Sequence, residues 1–370
     1  MTVKLGYLVR FRNGQDAKNV EDPNGEYPII GSGGAFSRAN EFLHDGESLL
    51  FGRKGTIDRP LHVNGKFWTV DTMYYTEIGP EASGRYLYYW ATTIPFDKIS
   101  TQTALPSMTS FKLSQLEVPL PDLPTQHRIA DYLDRETAQI DAMAEALDGL
   151  VARLEERRRG LFKTATGDTR QASLAVISRI TLGKMLDGNK NKGIPTPYIR
   201  AANVERTGKI DTDDLKLMKV TPAENATYSL RADDIIMVEG GDAGRVGYVN
   251  QDLPGIAFQK TVMRIRCHTK YSFPRYAYYA LDDAHKSGRI SLDYSLSTIP
   301  HFPAEKAARL EIPLPPLDEQ RRIADHLDAE TAKIDAMIAK AGELRALLDE
   351  RRSALITATV TGQHPVPEEP

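Results

Sequence analysis

Two glycine clusters and one cysteine–histidine pair are the features of this sequence whose residue types and spacing could support chemistry. The clusters are Gly31, Gly33, Gly34 and Gly240, Gly241, Gly244. Glycine-rich loops hold nucleotide phosphates when they join a strand to a helix, but neither cluster opens such a unit. Cys267 and His268 are adjacent, and no second pair stands at the spacing of a zinc site. The glycines are therefore expected to permit positive backbone angles or a close approach to a ligand.

No other catalytic arrangement appears along the chain. The sequence contains no Walker A motif, no His-Glu-x-x-His pair and no Asn/Asp-Pro-Pro-aromatic segment of the kind that amino-methyltransferases carry. We therefore predict a binding protein with no catalytic residues, no metal site and no cofactor of its own. An enzyme with an unrecognised active site is the weakest alternative, and methyl transfer by the chain alone would support it.

The composition is that of a soluble protein, and 370 residues are enough to bury two cores. The single cysteine excludes an internal disulfide framework and fits a reducing compartment, and the first residues lack the apolar segment of a secretory signal. No apolar run approaches membrane length, so a cytoplasmic location without membrane contact is predicted. The net charge of -3 argues against binding nucleic acid through phosphates alone, because that affinity comes from lysine and arginine.

A long internal repeat organises the chain and must position any binding residues. Its first copy, residues 116–166, is LEVPLPDLPTQHRIADYLDRETAQIDAMAEALDGLVARLEERRRGLFKTAT, and its second, residues 310–360, is LEIPLPPLDEQRRIADHLDAETAKIDAMIAKAGELRALLDERRSALITATV. The copies align without a gap, which indicates an internal duplication. Each begins with a proline-rich lead-in that forces an extended conformation. A helix follows, opened by Pro124 or Thr125 in the first copy and capped by Asp318 in the second.

Apolar residues recur every seven positions through both predicted helices, as they do in a coiled coil. The predicted seam consists of Leu133, Ile140, Met143, Leu147, Leu150, Leu154, Leu161, Leu327, Ile334, Met337, Leu344, Leu348 and Leu355. Each helix is expected to have about 38 residues and a length of about 57 Å, too long and thin to bury its seam alone. We favour packing of the two helices on each other, which in an antiparallel arrangement would place the segments that precede them at opposite ends of one rod. The alternative is two amphipathic helices that lie on separate cores.

Two details of the helices leave alternatives open. Gly149 and Gly342 lie inside the helices, where they mark either a close approach of two backbones or tolerated defects that cost about 1 kcal/mol each relative to alanine. The arginine runs 157–159 and 351–352 occupy equivalent positions near the ends of the helices. They could clamp a DNA phosphate, or they could be the cations that a helix C-terminus favours.

The segments that precede the helices are predicted to form two globular units of short strands separated by glycine, asparagine and aspartate turns. YPIIGSGG in the first unit corresponds to TPYIRAANV in the second, and ESLLFGRKG corresponds to DDIIMVEGG. The predicted fold class is α+β, with two globular α/β domains separated by two long helices that form an antiparallel coiled coil, in an internal pseudo-twofold repeat. The predicted boundaries are 1–115 and 168–309 for the globular domains, 116–167 and 310–362 for the lead-ins and helices, and 363–370 for a disordered tail.

The repeated PLP-x-L-x-x-Q-x-R-I-A-D-x-L-D-x-E-T-A-x-I-D-A-M segment resembles the hallmark of the specificity subunits of type I restriction-modification systems. The order of variable unit, long helix, variable unit and long helix resembles the layout of that family along the full chain. In the globular units the resemblance covers only the architecture and short patterns such as YPIIGSGG and FGRKG.

This resemblance implies that each globular unit is a target recognition domain that reads one half of a bipartite double-stranded DNA target, with the coiled coil setting the gap. It implies two methyltransferase subunits that methylate adenine N6 with S-adenosylmethionine, and restriction endonuclease–translocase subunits that use ATP and magnesium. The chain itself would do no chemistry. The alternative is a non-catalytic coiled-coil adaptor that joins proteins and shows no sequence-dependent DNA binding with any partner.

Polar and basic loop residues are the candidates for DNA contacts, because arginine or lysine pairs with guanine, asparagine or glutamine pairs with adenine, and other groups hold phosphates. The candidates in the first unit are Ser32, Arg38, Arg53, Lys54, Lys66, Thr101 and Gln102. Those in the second unit are Arg200, Asn203, Arg206, Arg245, Gln259, Lys260 and Ser297. Any one of them could instead be a solvated surface or turn residue. The resemblance implies methyltransferase contacts on the outer faces of the helices and on the lead-ins.

Overall fold

The protein forms two compact units that divide each long helix between them. The computed structural model describes residues 1–100, 106–167, 169–187, 192–290 and 301–367. Unit 1 consists of Met1–Asp148 and Ala341–Pro370, and unit 2 consists of Gly149–Lys340. Each unit therefore contains one globular part and one half of each long helix.

The globular part of unit 1 is built from short strands and helices. Its elements are β1 (Thr2–Lys4), α1 (Leu5–Leu8), β2 (Val9–Asn13), β3 (Tyr27–Gly31), β4 (Gly34–Ala39), β5 (His44–Asp45), β6 (Ser48–Gly52), β7 (Leu61–Val63), β8 (Lys66–Thr69), β9 (Met73–Ile78), α2 (Gly84–Ala91), α3 (Phe96–Ile99), α4 (Ser110–Ser114) and β10 (Glu117–Pro119). The strands form sheets in the orders β2-β9-β6-β7, β4-β3-β8-β5 and β1-β10. Strand β6 is buried along its whole length, as its apolar sequence SLLFG predicts.

The first long helix, α5 (Leu123–Thr166), leads to the globular part of unit 2. The elements that follow are β11 (Gln171–Ser173), α6 (Leu174–Ile177), β12 (Ser178–Leu182), β13 (Ile194–Ile199), a short 3₁₀ turn (Ala201–Asn203), β14 (Lys216–Val220), α7 (Pro222–Tyr228), β15 (Ile235–Val238), β16 (Val246–Tyr248), β17 (Ala257–Phe258), β18 (Val262–Cys267), α8 (Pro274–Lys286), α9 (Ala304–Arg309), β19 (Glu311–Pro313) and the second long helix, α10 (Leu317–Val360). The sheet orders are β12-β18-β15-β16, β14-β13-β17 and β11-β19.

The globular parts of the two units share one topology. The sheet β12-β18-β15-β16 repeats β2-β9-β6-β7, and β13 pairs with β17 in parallel as β3 pairs with β8. The residue after the first strand makes the same backbone hydrogen bond in both units. Leu5 N donates to Leu116 O at 2.8 Å in unit 1, and Leu174 N donates to Leu310 O at 3.0 Å in unit 2. The repeat therefore extends through the globular parts, which confirms the predicted fold class. Among the described residues, no helix has the length and apolar content that crossing a membrane requires.

Each long helix has 44 residues, more than the predicted length of about 38. Asp122 caps α5, because its carboxylate accepts a hydrogen bond from the N–H of Thr125 at 3.1 Å. This contact with Thr125 also lowers the pKa of Asp122. Asp318 is not the N-cap of α10 as predicted, because the helix already begins at Leu317 and Asp318 lies in its first turn. There its negative charge lies at the positive end of the helix dipole.

Ion pairs show that the two long helices run antiparallel within each unit. In unit 1, Asp141 pairs with Arg352 at 3.2 Å and Asp148 with Arg345 at 3.9 Å, so the partner's number falls as the number on α5 rises. In unit 2, the arginine run of α5 pairs with acidic residues in the first half of α10, Arg157 with Glu330 and Arg158 with Asp335. The predicted antiparallel pairing is confirmed. These arginines serve the helix pair, and exposed pairs of this kind contribute about 0.2–1 kcal/mol each.

The second row of the seam lies one position away from its predicted place. Residues of the first row are buried, such as Leu133, Ile140 and Leu154 on α5 and Leu327 and Ile334 on α10. The predicted second row is exposed instead, at 45% for Met143, 38% for Leu150, 41% for Met337 and 44% for Leu344.

The buried second row follows the first by four positions. On α5 it contains the buried Thr137 and Ala144 and the half-buried Val151, and on α10 it contains the half-buried Ile338. Thr137 and Ala144 in this row are small, whereas larger apolar residues lie at the exposed positions. The pattern of large apolar residues therefore predicted the wrong row. A Cβ added at Gly149 or Gly342 would have no described neighbour within 4 Å, so these glycines mark no close approach of backbones.

Two repeated glutamines attach the long helices to the globular parts. Gln320 is fully buried, and its Oε1 accepts a hydrogen bond from Phe273 N at 2.7 Å. Its Nε2 donates to Tyr271 O at 3.1 Å and to Pro315 O at 2.8 Å. In unit 1 the fully buried Gln126 makes the corresponding hydrogen bonds to the backbone at residues 83, 81 and 121. Each amide thus satisfies backbone groups of the segment that leads into α2 or α8 and of the lead-in.

A second attachment in both units joins a tyrosine to the repeated Asp and Thr of the helix. Tyr279 Oη donates to Asp328 Oδ1 at 2.5 Å and lies 3.2 Å from Thr331 Oγ1. In unit 1, Tyr89 makes the same contacts with Asp134 and Thr137 at 2.5 and 3.2 Å. Burial raises the pKa of Tyr279 to about 12, so it stays protonated as this hydrogen bond requires.

The core of each unit includes residues from both long helices. In unit 1, Leu5 and Tyr86 of the globular part lie in one cluster with Ile129 of α5 and Ile356 and Val360 of α10. In unit 2 the corresponding cluster contains Phe302, Tyr276, Phe162 of α5 and Leu327 of α10. Each helix half therefore lies on a globular core and also pairs with the other helix. The heptad pattern thus reflects both pairing of the helices and packing on the two separate cores.

Candidate nucleic-acid interface

Three segments of unit 1 meet at one end of its sheets and form what we call loop cluster 1, residues 52–55, 70–72 and 107–108. Arg53 N donates a hydrogen bond to Thr72 O at 2.8 Å, and Met108 N donates to Arg53 O at 3.0 Å. Lys54 forms an isolated β-bridge with Ser107. The backbone of the Arg53 loop is therefore held on both sides, while Lys54 is exposed and Arg53 is half-buried.

Ser32 lies at this same end of unit 1. Strand β3 pairs with β8 at Ile30 and Thr69, so the turn at Ser32 follows directly beside the segment 70–72. Phe36, in the strand after that turn, has 64% of its surface exposed. The guanidinium of Arg53 lies 5.9 Å from the ring centre of Tyr74, which supports it from one side. Basic, hydroxyl and aromatic groups thus occur together here.

The other candidates in unit 1 do not belong to loop cluster 1. Lys66 begins β8, at the end of that strand opposite to residues 70–72, and its ammonium lies 4.9 Å from the ring centre of Phe42. Arg38 donates hydrogen bonds to the carbonyls of Gly25 and Glu26 at 2.5 and 2.6 Å, which holds that loop in place. Thr101 and Gln102 lie outside the residues that the structure describes.

Unit 2 builds the same frame from different side chains. We call it loop cluster 2, residues 239–241, 259–261 and 301–302. Glu239 N donates to Thr261 O at 2.9 Å, Phe302 N donates to Glu239 O at 2.8 Å, and Gly240 forms a β-bridge with His301. These contacts repeat those of Arg53 and Lys54 one for one. Glu239 therefore occupies the position of Arg53, and Gly240 occupies the position of Lys54.

Gln259 and Lys260 are the two sequence candidates that lie inside loop cluster 2. Gln259 N donates to Ile199 O at 2.9 Å, and the Gln259 side-chain oxygen accepts from Thr261 Oγ1 at 2.8 Å. Lys260 is exposed, and its backbone N–H donates to Lys184 O at 2.9 Å. Gln259 thus offers its amide N–H groups and Lys260 its ammonium to a ligand.

Three of the remaining candidates in unit 2 hold the protein together. Asn203 is 1% exposed, and its amide accepts from Arg200 N at 3.1 Å and donates to Asp214 O at 3.0 Å, so both sides of this amide already bond the backbone. Arg200 pairs with Asp214 at 2.7 Å. Arg245 pairs with Asp242 at 3.0 Å and donates to the carbonyl of Ala201 at 3.0 Å. The buried or paired state of these groups could not be read from residue type.

The last two candidates for DNA contacts, Arg206 and Ser297, are not among the residues of loop cluster 2. Arg206 is 89% exposed at its side chain and lies 4.0 Å from Asp242, so it remains open to a ligand. Ser297 lies outside the described residues. Among the residues that the structure does describe, no group of three or more His, Cys, Asp or Glu side chains is arranged to hold a metal ion.

Sequence reasoning missed Glu239, His301 and Phe36. Glu239 aligns with Arg53 in the paired segments DDIIMVEGG and ESLLFGRKG, so its position was visible, but an acidic residue was not considered for DNA. His301 follows a serine-rich stretch of sequence and belongs to no recognised motif. Burial raises the pKa of Glu239, and the positive charges of His301 and Lys260 oppose that shift.

Comparison with known proteins finds a match in each half of the internal repeat. A family model described as "Type I restriction modification DNA specificity domain" matches residues 1–150 and 175–344. The EcoprrI type I restriction enzyme specificity subunit of Escherichia coli is 26% identical over 147 residues, which cover 38% of this chain and 37% of that protein. The StySPI specificity subunit of Salmonella potsdam is 27% identical over 168 residues, which cover 45% of this chain and 36% of that protein. The match thus spans little more than a third of the length of these relatives.

Two solved structures share the fold over nearly the whole chain. One, described as "Structural basis underlying complex assembly and conformational transition of the type I R-M system", has a TM-score of 0.78 at 15% identity and covers 97% of both chains. The HsdS subunit of Thermoanaerobacter tengcongensis has a TM-score of 0.57 at 15% identity and covers 98% of this chain and 97% of its own. Since the family model matches the globular parts of both units and most of their helices, this chain belongs to the family of type I restriction-modification DNA specificity domains.

Proposed function

We propose that this chain is the DNA-reading subunit of a type I restriction-modification complex. Each loop cluster contacts one half of a bipartite target, and the paired helices set the gap between the halves. The observation that carries this proposal is the repeated frame of the loop clusters, in which the same backbone hydrogen bonds present different side chains, Arg53 and Lys54 in one unit and Glu239 and Gly240 in the other. A shared backbone arrangement that carries different side chains in the two units is suited to recognising two different DNA sequences.

The chemistry of the loop clusters suits base reading in a major groove. Arginine, glutamine and glutamate distinguish bases by donor and acceptor pattern, whereas lysine positions the backbone. The chain as a whole carries a net charge of -3, so it needs phosphate contacts from a partner to bind tightly. This requirement favours a complex in which the chain supplies sequence recognition and its partners supply the rest of the affinity.

Exposed apolar residues on the long helices support docking of those partners. Met143 and Leu344 in unit 1 and Leu150 and Met337 in unit 2 recur at heptad spacing but lie outside the helix pair. A partner's helices would remove them from water, which contributes about 25 cal/mol per Å² of apolar surface. The proposed partners are two methyltransferase subunits carrying S-adenosylmethionine and restriction endonuclease–translocase subunits carrying ATP and magnesium, while this chain performs no chemistry.

A domain exchange tests the proposal. Residues 1–115 are replaced by the corresponding segment of a relative with a different target, and the complex with the methyltransferase subunit is assayed for adenine methylation across a genome. We expect one half of the methylated target to change while the other half and the gap stay the same. The unaltered chain is the control. A change in both halves would contradict the assignment of one unit to each half, and a complex without sequence-dependent binding would favour a protein adaptor.

The clustering of basic residues makes a separate prediction about affinity. Substituting Lys54 or Lys260 by alanine should weaken DNA binding by the complex to a similar extent for all sequences. It should also make the negative slope of log affinity against log salt less steep by about 1, because each lysine neutralises one phosphate. Lys66→Ala is the matched control, since Lys66 lies at the far end of β8 and should leave the slope unchanged. Fluorescence anisotropy across a salt series measures both quantities. An equal loss for Lys66→Ala would show that loop cluster 1 is not the contact surface.

A further inference from the structure

The topologically equivalent position of the two units carries opposite charges. Arg53 and Glu239 each follow the buried central strand of a four-stranded sheet, β6 or β15. Each donates its N–H to the carbonyl of a threonine, Thr72 or Thr261, and accepts from the N–H of Met108 or Phe302. Because the backbone is the same at both positions, the change from the cation Arg53 to the anion Glu239 indicates that the two side chains contact different groups.

Glu239 lines a cavity of about 270 Å³ in unit 2, together with Met185 and Leu186. Only 8% of its side-chain surface is exposed, and its Oε1 lies 3.4 Å from Nε2 of His301, half of whose side chain is exposed. Gln259 and Lys260 line the same cavity. The carboxylate is therefore largely withdrawn from water, beside groups that can donate hydrogen bonds and beside the cation of Lys260.

A withdrawn carboxylate on a DNA-facing loop has a cost that a suitable ligand must offset. Burying a charge with incomplete hydrogen bonding is unfavourable, and the negative potential of the phosphates adds repulsion. A base that donates a hydrogen bond to the carboxylate, and presents no acceptor beside that donor, offsets the first of these costs. In the major groove cytosine fits this description, because its N4 amino group is a donor, whereas adenine places the acceptor N7 beside its N6 amino group and guanine presents acceptors only.

Arg53 has the opposite preference. Its guanidinium is a planar fork of donors, which matches the two acceptors O6 and N7 of guanine. The ring of Tyr74, 5.9 Å away, restricts the side chain and so lowers the entropy lost when the fork binds. A cytosine offers this fork no acceptor pair in the groove.

We infer that Glu239 is a specificity-determining residue that accepts a hydrogen bond from cytosine N4 in the half-site read by unit 2, and that Arg53 at the equivalent position reads guanine in the half-site read by unit 1. This inference rests on the proposed function and refines it, since it names one base on one strand for each loop cluster. His301 Nε2, 3.4 Å from Glu239 Oε1, and Lys260 in the same cavity are the groups that favour the carboxylate form of Glu239, the form that accepts a hydrogen bond.

Selection from a DNA library tests the inference. The library carries two randomised blocks separated by gaps of several lengths, and bound duplexes are sequenced after incubation with the chain in complex with its methyltransferase subunit. The wild type should require cytosine at one position of one half-site. Glu239→Gln should shift that single position towards adenine and reduce the preference for cytosine at least about tenfold, because glutamine matches the N6 and N7 groups of adenine. Glu239→Arg should shift the same position to guanine.

A matched control and a fold check separate the outcomes. Glu311→Gln removes an exposed carboxylate from β19 and should leave every preference unchanged. Thermal unfolding of Glu239→Gln should match that of the wild type. Unchanged preferences in Glu239→Gln and Glu239→Arg, or an equal loss at all positions, would overturn the inference and leave the proposed function standing. A wild-type complex that selects no sequence would overturn both.

Discussion

Replacing Gln320 by leucine is expected to lower the free energy of unfolding of unit 2 by about 2–5 kcal/mol, one of the two largest effects that the structure predicts. The amide is fully buried and bonds Phe273 N, Tyr271 O and Pro315 O. Leucine has a similar volume but leaves these backbone groups without partners in an apolar environment. Each buried group that loses its partner costs about 1–3 kcal/mol, and relaxation recovers part of the sum.

The same substitution at two sites of α5 provides the comparison. Gln126→Leu should cost a similar amount, because Gln126 makes the equivalent hydrogen bonds in unit 1. Gln139→Leu should change the unfolding free energy by no more than about 0.5 kcal/mol, because Gln139 is exposed on the same helix. Urea unfolding followed by circular dichroism measures all three. If Gln320→Leu were as mild as Gln139→Leu, the glutamines would not be what attaches the helices.

Placing a charge in the helix pair should separate the two possible positions of its second row. Ala144→Glu is expected to destabilise unit 1 by about 3–5 kcal/mol, because Ala144 is 5% exposed and the new carboxylate would be buried without a partner. Met143→Glu introduces the same charge one residue earlier, where 45% of the methionine is exposed. It should cost no more than about 1 kcal/mol.

The contrast between these neighbours is what makes the experiment decisive. Both substitutions change helix propensity and net charge in nearly the same way, so a difference of several kcal/mol must come from burial. Denaturant unfolding of the isolated chain gives the comparison without any partner. A larger loss for Met143→Glu would restore the second row as predicted from the sequence and contradict the placement of Ala144 inside the helix pair.

The repeat explains why much of the fold was predictable and why the register of the helix pair was not. Duplication, heptad spacing and the proline lead-ins are properties of residue order, and they correctly predict two long helices that pack on each other, while the family resemblance supplied the antiparallel direction. The second row contains Thr137 and Ala144, which carry little apolar signal, while Met143 and Leu150 at the neighbouring positions carry more. Thr137 and Ala144 are buried although they are small, and Thr137 lies against Tyr89 of the globular part, so a count of large apolar residues cannot detect this row.

The candidate interface was predictable only in part, because loop residues are sorted by sheet order and burial. The alignment of ESLLFGRKG with DDIIMVEGG already paired Arg53 with Glu239. Lys66 and Arg53 are separated because Lys66 begins β8 while Arg53 contacts the segment 70–72 that follows it. The burial of Asn203 depends on the turn that surrounds its amide. The role of the repeated glutamines could not be predicted either, because residue type alone does not tell a fully buried glutamine from an exposed one.

The sharing of α10 between units has a consequence for how the protein matures during synthesis. Ile356 and Val360 lie in the core of unit 1 together with Leu5, a residue translated several hundred codons earlier. Domains usually close in the order in which they leave the ribosome. Unit 1 cannot complete its core in that order, and its nascent apolar surface stays open until α10 has been translated. The first half of this chain to be made is therefore the last to finish folding.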